Sequence, residues 1–279
     1  MRDIMLHVDT YAEPTPPHAI RQAVAFAGAL EAELTGFATH IDINVPDNWI
    51  AERLLHVNAM ASAEESKSLA AARQSLEHLD TSARAAGVKA HSLVARASLH
   101  GIGPCVARHA RTRDLCLVSV GDRMDSQRAV AEDVIFGSGR PVLVFHPDRA
   151  PLPATLARVA VTWDGSRSAA RAAADAMPVL KRASDVRVVT VVGEKPSATA
   201  GVADDFIRHL LAHRVSAHVD EVDGRHRSIG ASLDAYISQA KPHLVVMGAY
   251  GSSRLKEFVL GGATEHVLNK VLTPTLFSH

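Results

Sequence analysis

The chain has 279 residues, of which 30 are Lys or Arg and 30 are Asp or Glu, so its formal net charge at pH 7 is zero. This balance gives no basic excess for nucleic acid or an anionic membrane surface, and favours a small molecule or a protein as partner. The two cysteines, Cys105 and Cys116, argue against a disulfide framework and lack the spacing of a structural zinc site. No stretch reaches ~18 consecutive apolar residues and no secretion signal opens the sequence, so we expect a soluble, cytoplasmic protein.

Strand and helix patterns alternate along the first half of the chain. Between apolar runs lie Ala-rich stretches with helical spacing, such as "HAIRQAVAFAGALEA". This alternation predicts a parallel sheet that is covered by helices on both faces. The predicted strands are residues 4–8, 34–41, 91–95, 115–120 and 141–145.

The second half repeats the pattern after a Pro-rich polar stretch at 146–155, which suits a linker. Aligning "IMLHVDT" with "VAVTWDG" places Asp9 opposite Asp164, and "LVSVG" matches "LVVMG". The sequence therefore predicts two α/β domains, residues 1–149 and 150–279, each with about five strands. The strands predicted in the second domain are residues 158–163, 186–192, 216–222, 244–248 and 274–278.

A glycine-rich loop follows the fourth strand of the second half, in "MGAYGSSRLKEFVLGGATEHV". Gly248 and Gly251 would let the backbone approach a ligand closely, at the sheet edge where open parallel sheets bind ligands. Gly261, Gly262 and Thr264 lie at the start of a predicted helix, whose unpaired N–H groups suit a phosphate. The side chains expected to contact outer phosphates are Ser252, Ser253, Arg254 and Lys256.

A simple strand-to-helix turn stays open as the alternative, because the spacing matches neither a dinucleotide fingerprint nor a Walker loop. The first half keeps Asp9 and Gly121 but has Met124 where the second glycine would stand, and its loop is shorter and more acidic. We therefore expect no nucleotide binding through the loop of the first half.

The segment "MGAYGSSRLKEFVLGG" resembles the G-x2-G-x9-G signature of the universal stress protein family, and "WDGSRSAARAA" and "TPTLFSH" are similar to that family as well. The resemblance covers both halves and implies a tandem member of the family. It implies two Rossmann-like (adenine nucleotide alpha hydrolase-like) domains, each an open five-stranded parallel sheet. It also implies an intramolecular pseudo-dimer through the edge strands 141–145 and 274–278, with further homodimerisation left open.

The resemblance implies a site for ATP, AMP or ADP, with Mg or Mn carried by the phosphates. By position, Asp164 lies beside the adenosine, Val191 or Val192 flanks the adenine, and the glycines line the ribose and phosphates. The family usually has Ser or Thr where this chain has Gly262, and Thr264 is the candidate to replace that hydroxyl. The expected site residues are Asp164, Val192, Met247, Gly248, Gly251, Gly261, Gly262, Ala263 and Thr264.

The leading interpretation is a nucleotide-binding stress-response module, with a slow ATPase and a non-nucleotide-binding interaction protein as the alternatives. No nucleophile constellation or G-x-S-x-G elbow predicts a catalytic residue. His209 and His213 have the i, i+4 spacing of metal ligands, but a solvated helix face explains them better because no H-E-x-x-H pattern is present.

Overall fold

The computed structural model describes residues 1–45, 57–121, 125–193, 201–249 and 262–279. Its elements alternate between strand and helix throughout. In the N-terminal half (residues 1–149) they are β1 (Asp3–Val8), α1 (Pro17–Ala29), β2 (Glu33–Asp42), α2 (Val57–Ala86), β3 (Ala90–Ser98), a 3-10 turn (Leu99–Gly101), α3 (Ile102–Ala110), β4 (Leu115–Ser119), α4 (Asp125–Gly137) and β5 (Val142–Phe145).

The C-terminal half (residues 150–279) repeats this order with shorter helices. Its elements are β6 (Arg158–Thr162), α5 (Arg167–Leu180), β7 (Asp185–Val192), α6 (Asp204–Ala212), β8 (Ala217–Asp223), α7 (Ile229–Ala240), β9 (Leu244–Gly248), α8 (Gly262–Lys270) and β10 (Thr275–Ser278). All ten predicted strands are confirmed, with ends that differ by up to a few residues. None of the described helices is both long enough and apolar enough to cross a bilayer.

The ten described strands form one sheet in the order β3-β2-β1-β4-β5-β10-β9-β6-β7-β8. Neighbours within each half are parallel, and the two halves join where β5 and β10 pair antiparallel, with Thr275 opposite Val144 and Phe277 opposite Val142. The predicted contact between the two edge strands is therefore confirmed. Each half has the same strand order about this junction, so the two halves are related by an approximate twofold.

Helices cover both faces of the sheet, as the sequence predicts. Helices α1, α2, α5 and α6 share one apolar core with alternate strand residues such as Leu6 and Val161. Helices α3, α4, α7 and α8 share the other, with Val118 and Val245. Strands that are covered on both sides need apolar residues at every position, and all five residues of β4 are buried.

The connection between the halves is packed against the fold, although its sequence suggests a polar linker. Leu152 and Leu156 are buried in the core that α1 and α5 share. Gln22 of α1 donates from Nε2 to the carbonyl oxygen of Pro147 at 2.8 Å, and its Oε1 accepts the N–H of Leu152 at 3.3 Å. The hydrogen bonds therefore fix the connection to α1, while its two leucines pack in the shared core.

Candidate nucleotide site

Strands β6, β7 and β9 end at the same edge of the sheet because they run parallel. Helices α5 and α8 begin at this edge, so their free N–H groups are directed to it. Met247 is 6 % exposed and packs in the core behind the edge. Within the described residues, the surface available to a ligand therefore consists of the strand ends and the two helix starts.

Gly248 allows the end of β9 to lie against the first turn of α5. A Cβ atom added to Gly248 would stand 2.4 Å from the carbonyl carbon of Ser168 and 2.5 Å from the amide nitrogen of Ala169. Backbone atoms at such distances cannot move aside without shifting the helix. Glycine is thus required here by the packing of strand against helix, a reason that does not depend on a ligand.

Asp164 orders the turn that leads from β6 into α5. Its Oδ1 accepts the N–H of Ser166 at 3.0 Å, and Ser166 caps the helix by accepting the N–H of Ala169 at 3.2 Å. Gly165 between them has φ +74°, in the region that favours glycine. The Asp164 side chain is exposed at the sheet edge, where its carboxylate can still accept a hydrogen bond from a ligand hydroxyl.

Gly262, the first residue of α8, faces open space. It is exposed, and a Cβ atom added to it would meet none of the described atoms within 4 Å. Ala263 is half-buried against the core, and Thr264 is 2 % exposed. Burial keeps the Thr264 hydroxyl away from solvent, so of these three residues Gly262 is the one that leaves room beside the helix start.

The end of β7 supplies an apolar surface at the same edge. Val191 and Val192 are both half-buried, and Val191 packs against the same core cluster as Ala263. The Val192 carbonyl accepts the N–H of Gly224 at 2.9 Å, which fixes the strand end. Half-exposed valines held in this way offer a flat apolar contact for an aromatic ring.

Helix α8 is clamped to α7 by residues that the sequence analysis does not identify. Asp234 of α7 accepts hydrogen bonds at Oδ2 from His266 Nε2, at 2.7 Å, and from Lys270 Nζ, at 2.6 Å. The His266 ring lies over Gly230, where an added Cβ would stand 2.5 Å from the ring. The repeat contains a pattern that could have indicated this contact: "RSIG" ends at Gly230 and "HGIG" ends at the equivalent Gly103. Gly103 lies against Asp133 of α4, as Gly230 lies against His266 of α8.

Several residues of the predicted site lie outside the described residues. They are Gly251 and Gly261, together with the predicted phosphate contacts Ser252, Ser253, Arg254 and Lys256. Within the described part, the structure brings Asp164, Val191, Val192, Gly248 and Gly262 to one edge. Met247 and Thr264 are at that edge in sequence, but both are buried, and Met247 packs in the core.

The N-terminal half differs most at the turn after its first strand. Asp9 is 6 % exposed, whereas its counterpart Asp164 is exposed. A longer loop precedes α1 and is anchored over the strand ends. Its Thr10 hydroxyl donates to the Thr39 carbonyl and lies 2.7 Å from the hydroxyl of Ser68. The loop therefore covers strand ends whose counterparts in the C-terminal half are open among the described residues.

Beneath this loop lies a buried polar group. His7 Nε2 is 3.8 Å from Asp9 Oδ1. Burial raises the pKa of Asp9 and lowers that of His7, because both charged forms lose hydration. Nearby, Gln127 Oε1 accepts the N–H of Gly121 at 2.7 Å, which ties α4 to the chain just after β4.

A cavity of about 360 Å³ lies next to this group, beside Gly121 and Gln127. Two carboxylates, Glu13 and Asp148, line it, and Asp148 also pairs with His18 at 3.1 Å. Carboxylates at the wall of a cavity repel a polyphosphate. The electrostatics of this cavity thus differ from those expected of a phosphate site.

The histidine pair on α6 lies on a solvated face. His209 and His213 are both exposed, with ring centroids 4.7 Å apart in an edge arrangement. In the part of the chain that the structure describes, no group of three or more His, Cys, Asp or Glu side chains could hold a metal ion.

Residues 156–279 match the sequence profile of the Universal stress protein family. The C-terminal half is a universal stress protein domain. No curated protein matches the sequence. The identification covers the half that carries the open strand edge and the glycine loop.

Solved structures extend the similarity of fold to the whole chain. A universal stress protein from Archaeoglobus fulgidus is 17% identical, with a TM-score of 0.69, over 98% of this chain and 97% of that one. A candidate universal stress protein from Pseudomonas aeruginosa is 14% identical, with a TM-score of 0.59, over 100% of this chain and 93% of that one. Both halves therefore share the fold of universal stress proteins.

Proposed function

We propose that the universal stress protein domain binds ATP, or AMP or ADP, at the open edge formed by β6, β7 and β9. Bound nucleotide would make the protein a stress-response module that signals to cytoplasmic partners. The observation that carries this proposal is the open space beside Gly262 at the start of α8. Backbone N–H groups and the positive end of the helix dipole meet an anion there, and no described side chain obstructs it.

The chemistry of the described residues fits an adenine nucleotide. Phosphate oxygens can accept the first-turn N–H groups of α8, and Val191 and Val192 can flank the base. The Asp164 carboxylate can accept a ribose hydroxyl. Mg or Mn would arrive with the phosphates, since the described residues provide no metal cluster of their own.

One described residue opposes a phosphate at this site. Glu265 lies in the first turn of α8, where its negative charge would repel the anion. Its Oε1 is 3.8 Å from Arg128 Nη2, so a guanidinium of the N-terminal half offsets that charge. The net field at the helix start is therefore compatible with phosphate.

We assign one nucleotide to each chain. The N-terminal unit, residues 1–149, buries Asp9 under its longer loop and lines the neighbouring cavity with acids. The C-terminal unit, residues 150–279, has the open edge. Of the two units, the second alone combines space, donors and apolar walls among the residues that the structure describes.

Calorimetric titration of the full chain with ATP and Mg tests the proposal. We expect a stoichiometry of one for wild type, loss of binding for Gly262→Trp, and unchanged binding for Ala85→Trp, which places the same side chain at an exposed site on α2. Equal heats from all three proteins would refute the site. A stoichiometry of two would refute the assignment of the N-terminal half.

The same proteins distinguish the two alternatives. Phosphate release by wild type above the level of Gly262→Trp would support a slow ATPase. Absence of ATP binding by wild type, with and without Mg or Mn, would support an interaction protein that does not bind nucleotide.

A further inference from the structure

We propose that Arg128, in the N-terminal half, is a positioning residue for the nucleotide site of the C-terminal half. It holds α8, whose first turn supplies the phosphate donors. This inference rests on the function proposed above, and assigns the N-terminal half a role in it: the half that does not bind nucleotide supports the half that does.

Arg128 lies on α4 and reaches across the junction of the two halves to two residues of α8. Its Nη1 donates a hydrogen bond to Asn269 Oδ1, and its Nη2 is 3.8 Å from Glu265 Oε1. Glu265 and Asn269 are four residues apart and so lie on one face of α8, one turn apart. One guanidinium therefore fixes both the position and the rotation of this face, which a single-point contact cannot do.

The guanidinium is itself held in place. Its Nε donates to Glu132 Oε1 at 2.8 Å, one turn along α4, and its side chain is 27% exposed. A long side chain that is already ordered loses less conformational entropy when it makes a further contact. Arg128 is thus prearranged to contact α8.

Helix α4 is a rigid support because its first turns are anchored in the N-terminal half. Gln127, the residue before Arg128, is 8% exposed, and its Oε1 accepts the N–H of Gly121 at 2.7 Å. In the following turns, Val130 and Val134 are buried in the core. Through Arg128, the position of α8 is therefore set relative to a helix that is fixed in the core of the N-terminal half.

The contact with Asn269 makes it possible to distinguish a positioning role of Arg128 from direct contact of Arg128 with the ligand. Asn269 is seven residues beyond Gly262, or about 10 Å along the helix axis. A group at that distance cannot touch the phosphates, so any effect of Asn269 on affinity must pass through the helix. The opposite side of α8 is held by Asp234 of α7, so loss of Arg128 would tilt the helix without releasing it.

The test measures the affinity of the full chain for ATP with Mg in wild type, Arg128→Ala, Asn269→Ala, the double variant and Arg128→Lys. Arg113→Ala is the matched control, since Arg113 pairs with Asp3 inside the N-terminal half at 2.9 Å. We expect Arg128→Ala to weaken ATP binding about two- to tenfold, the range set by losing one such hydrogen-bonded contact. Asn269→Ala should show part of this loss, and the double variant should be no weaker than Arg128→Ala alone.

Lysine keeps the charge but not the two-point contact, so Arg128→Lys should recover only part of the affinity. Arg113→Ala should bind ATP as wild type does, whatever its loss in thermal stability. Wild-type binding with no change in Arg128→Ala would overturn the inference and leave the proposed function standing. An equal loss of ATP affinity in Arg113→Ala would also overturn the inference. So would full affinity in Arg128→Lys together with unchanged affinity in Asn269→Ala, because the charge would then act on the ligand directly. Failure of wild type to bind ATP would refute both proposals.

Discussion

Replacing Gly262 by serine should strengthen nucleotide binding. The family usually has a hydroxyl residue at this position, and the open space around Gly262 lets a serine side chain rotate freely toward a phosphate. Because a Cβ atom at this position meets no described atom within 4 Å, the substitution causes no clash with the part of the chain that the structure describes. A hydroxyl can therefore be added without disturbing the fold.

The expected gain follows from one charge-assisted hydrogen bond. Such a bond contributes about 1.5–3 kcal/mol, and ordering the serine reduces this to about 1–2 kcal/mol, or about five- to thirtyfold in affinity. Gly262→Ala is the matched control, since it adds the same Cβ without the hydroxyl. It should bind ATP as wild type does and be more stable by up to about 1 kcal/mol, because alanine favours the helix.

The assay is calorimetric titration of wild type, Gly262→Ser and Gly262→Ala with ATP and Mg, with thermal denaturation measured alongside. If serine and alanine give the same affinity, the ligand does not place a phosphate next to Gly262 and the geometry proposed for the site is wrong. A loss of affinity with both variants would mean that the open space is filled by the ligand itself.

Two further predictions concern stability. Gly248→Ala should destabilise the protein by about 3 kcal/mol in a urea titration, because its Cβ would overlap the backbone of Ser168 and Ala169; a loss below about 0.5 kcal/mol would contradict that packing. The second prediction concerns Asp9, whose carboxyl has a raised pKa because it is buried. The folded state therefore binds this proton more tightly than the unfolded state does. The protein loses stability as the pH rises above 3.8, which is the pKa of a solvated Asp. Asp9→Asn removes this titration, so its free energy of unfolding relative to wild type should rise between pH 4 and pH 8. The rise should be up to about 1.4 kcal/mol for each unit of pKa shift. If the free energies of unfolding of the two proteins change in parallel with pH, the prediction is wrong.

The alternation of the sequence predicts most of the fold because the signal is local. Runs such as "LVVMG" and "LCLVSV" are apolar at every position, which parallel strands covered on both faces require. Periodicity and the repeat are both visible without any contact between distant residues. The pairing of the two edge strands is implied instead by the resemblance to the universal stress protein family.

The candidate site is less visible in the sequence. The glycine spacing points to one loop and to the start of α8, but it gives the same explanation to every glycine. The structure separates them: Gly248 is required because α5 lies against it, whereas Gly262 has open space on its side-chain face. Whether a position requires glycine depends on which atoms from elsewhere in the chain lie close to it. The spacing of glycines along the sequence does not show this.

The two aspartates show the same limit. Asp9 and Asp164 are equivalent in the repeat, yet one is buried under the loop that Thr10 anchors and the other is exposed. The reach of Arg128 from α4 to α8 is likewise set by the antiparallel pairing of β5 with β10, which brings together helices that are far apart in sequence. The sequence alone thus determined the alternating elements, the duplication and the location of the glycine loop. Tertiary structure decided which copy is open at its strand edge and which residues hold it, because burial and charge pairing arise only when distant segments meet.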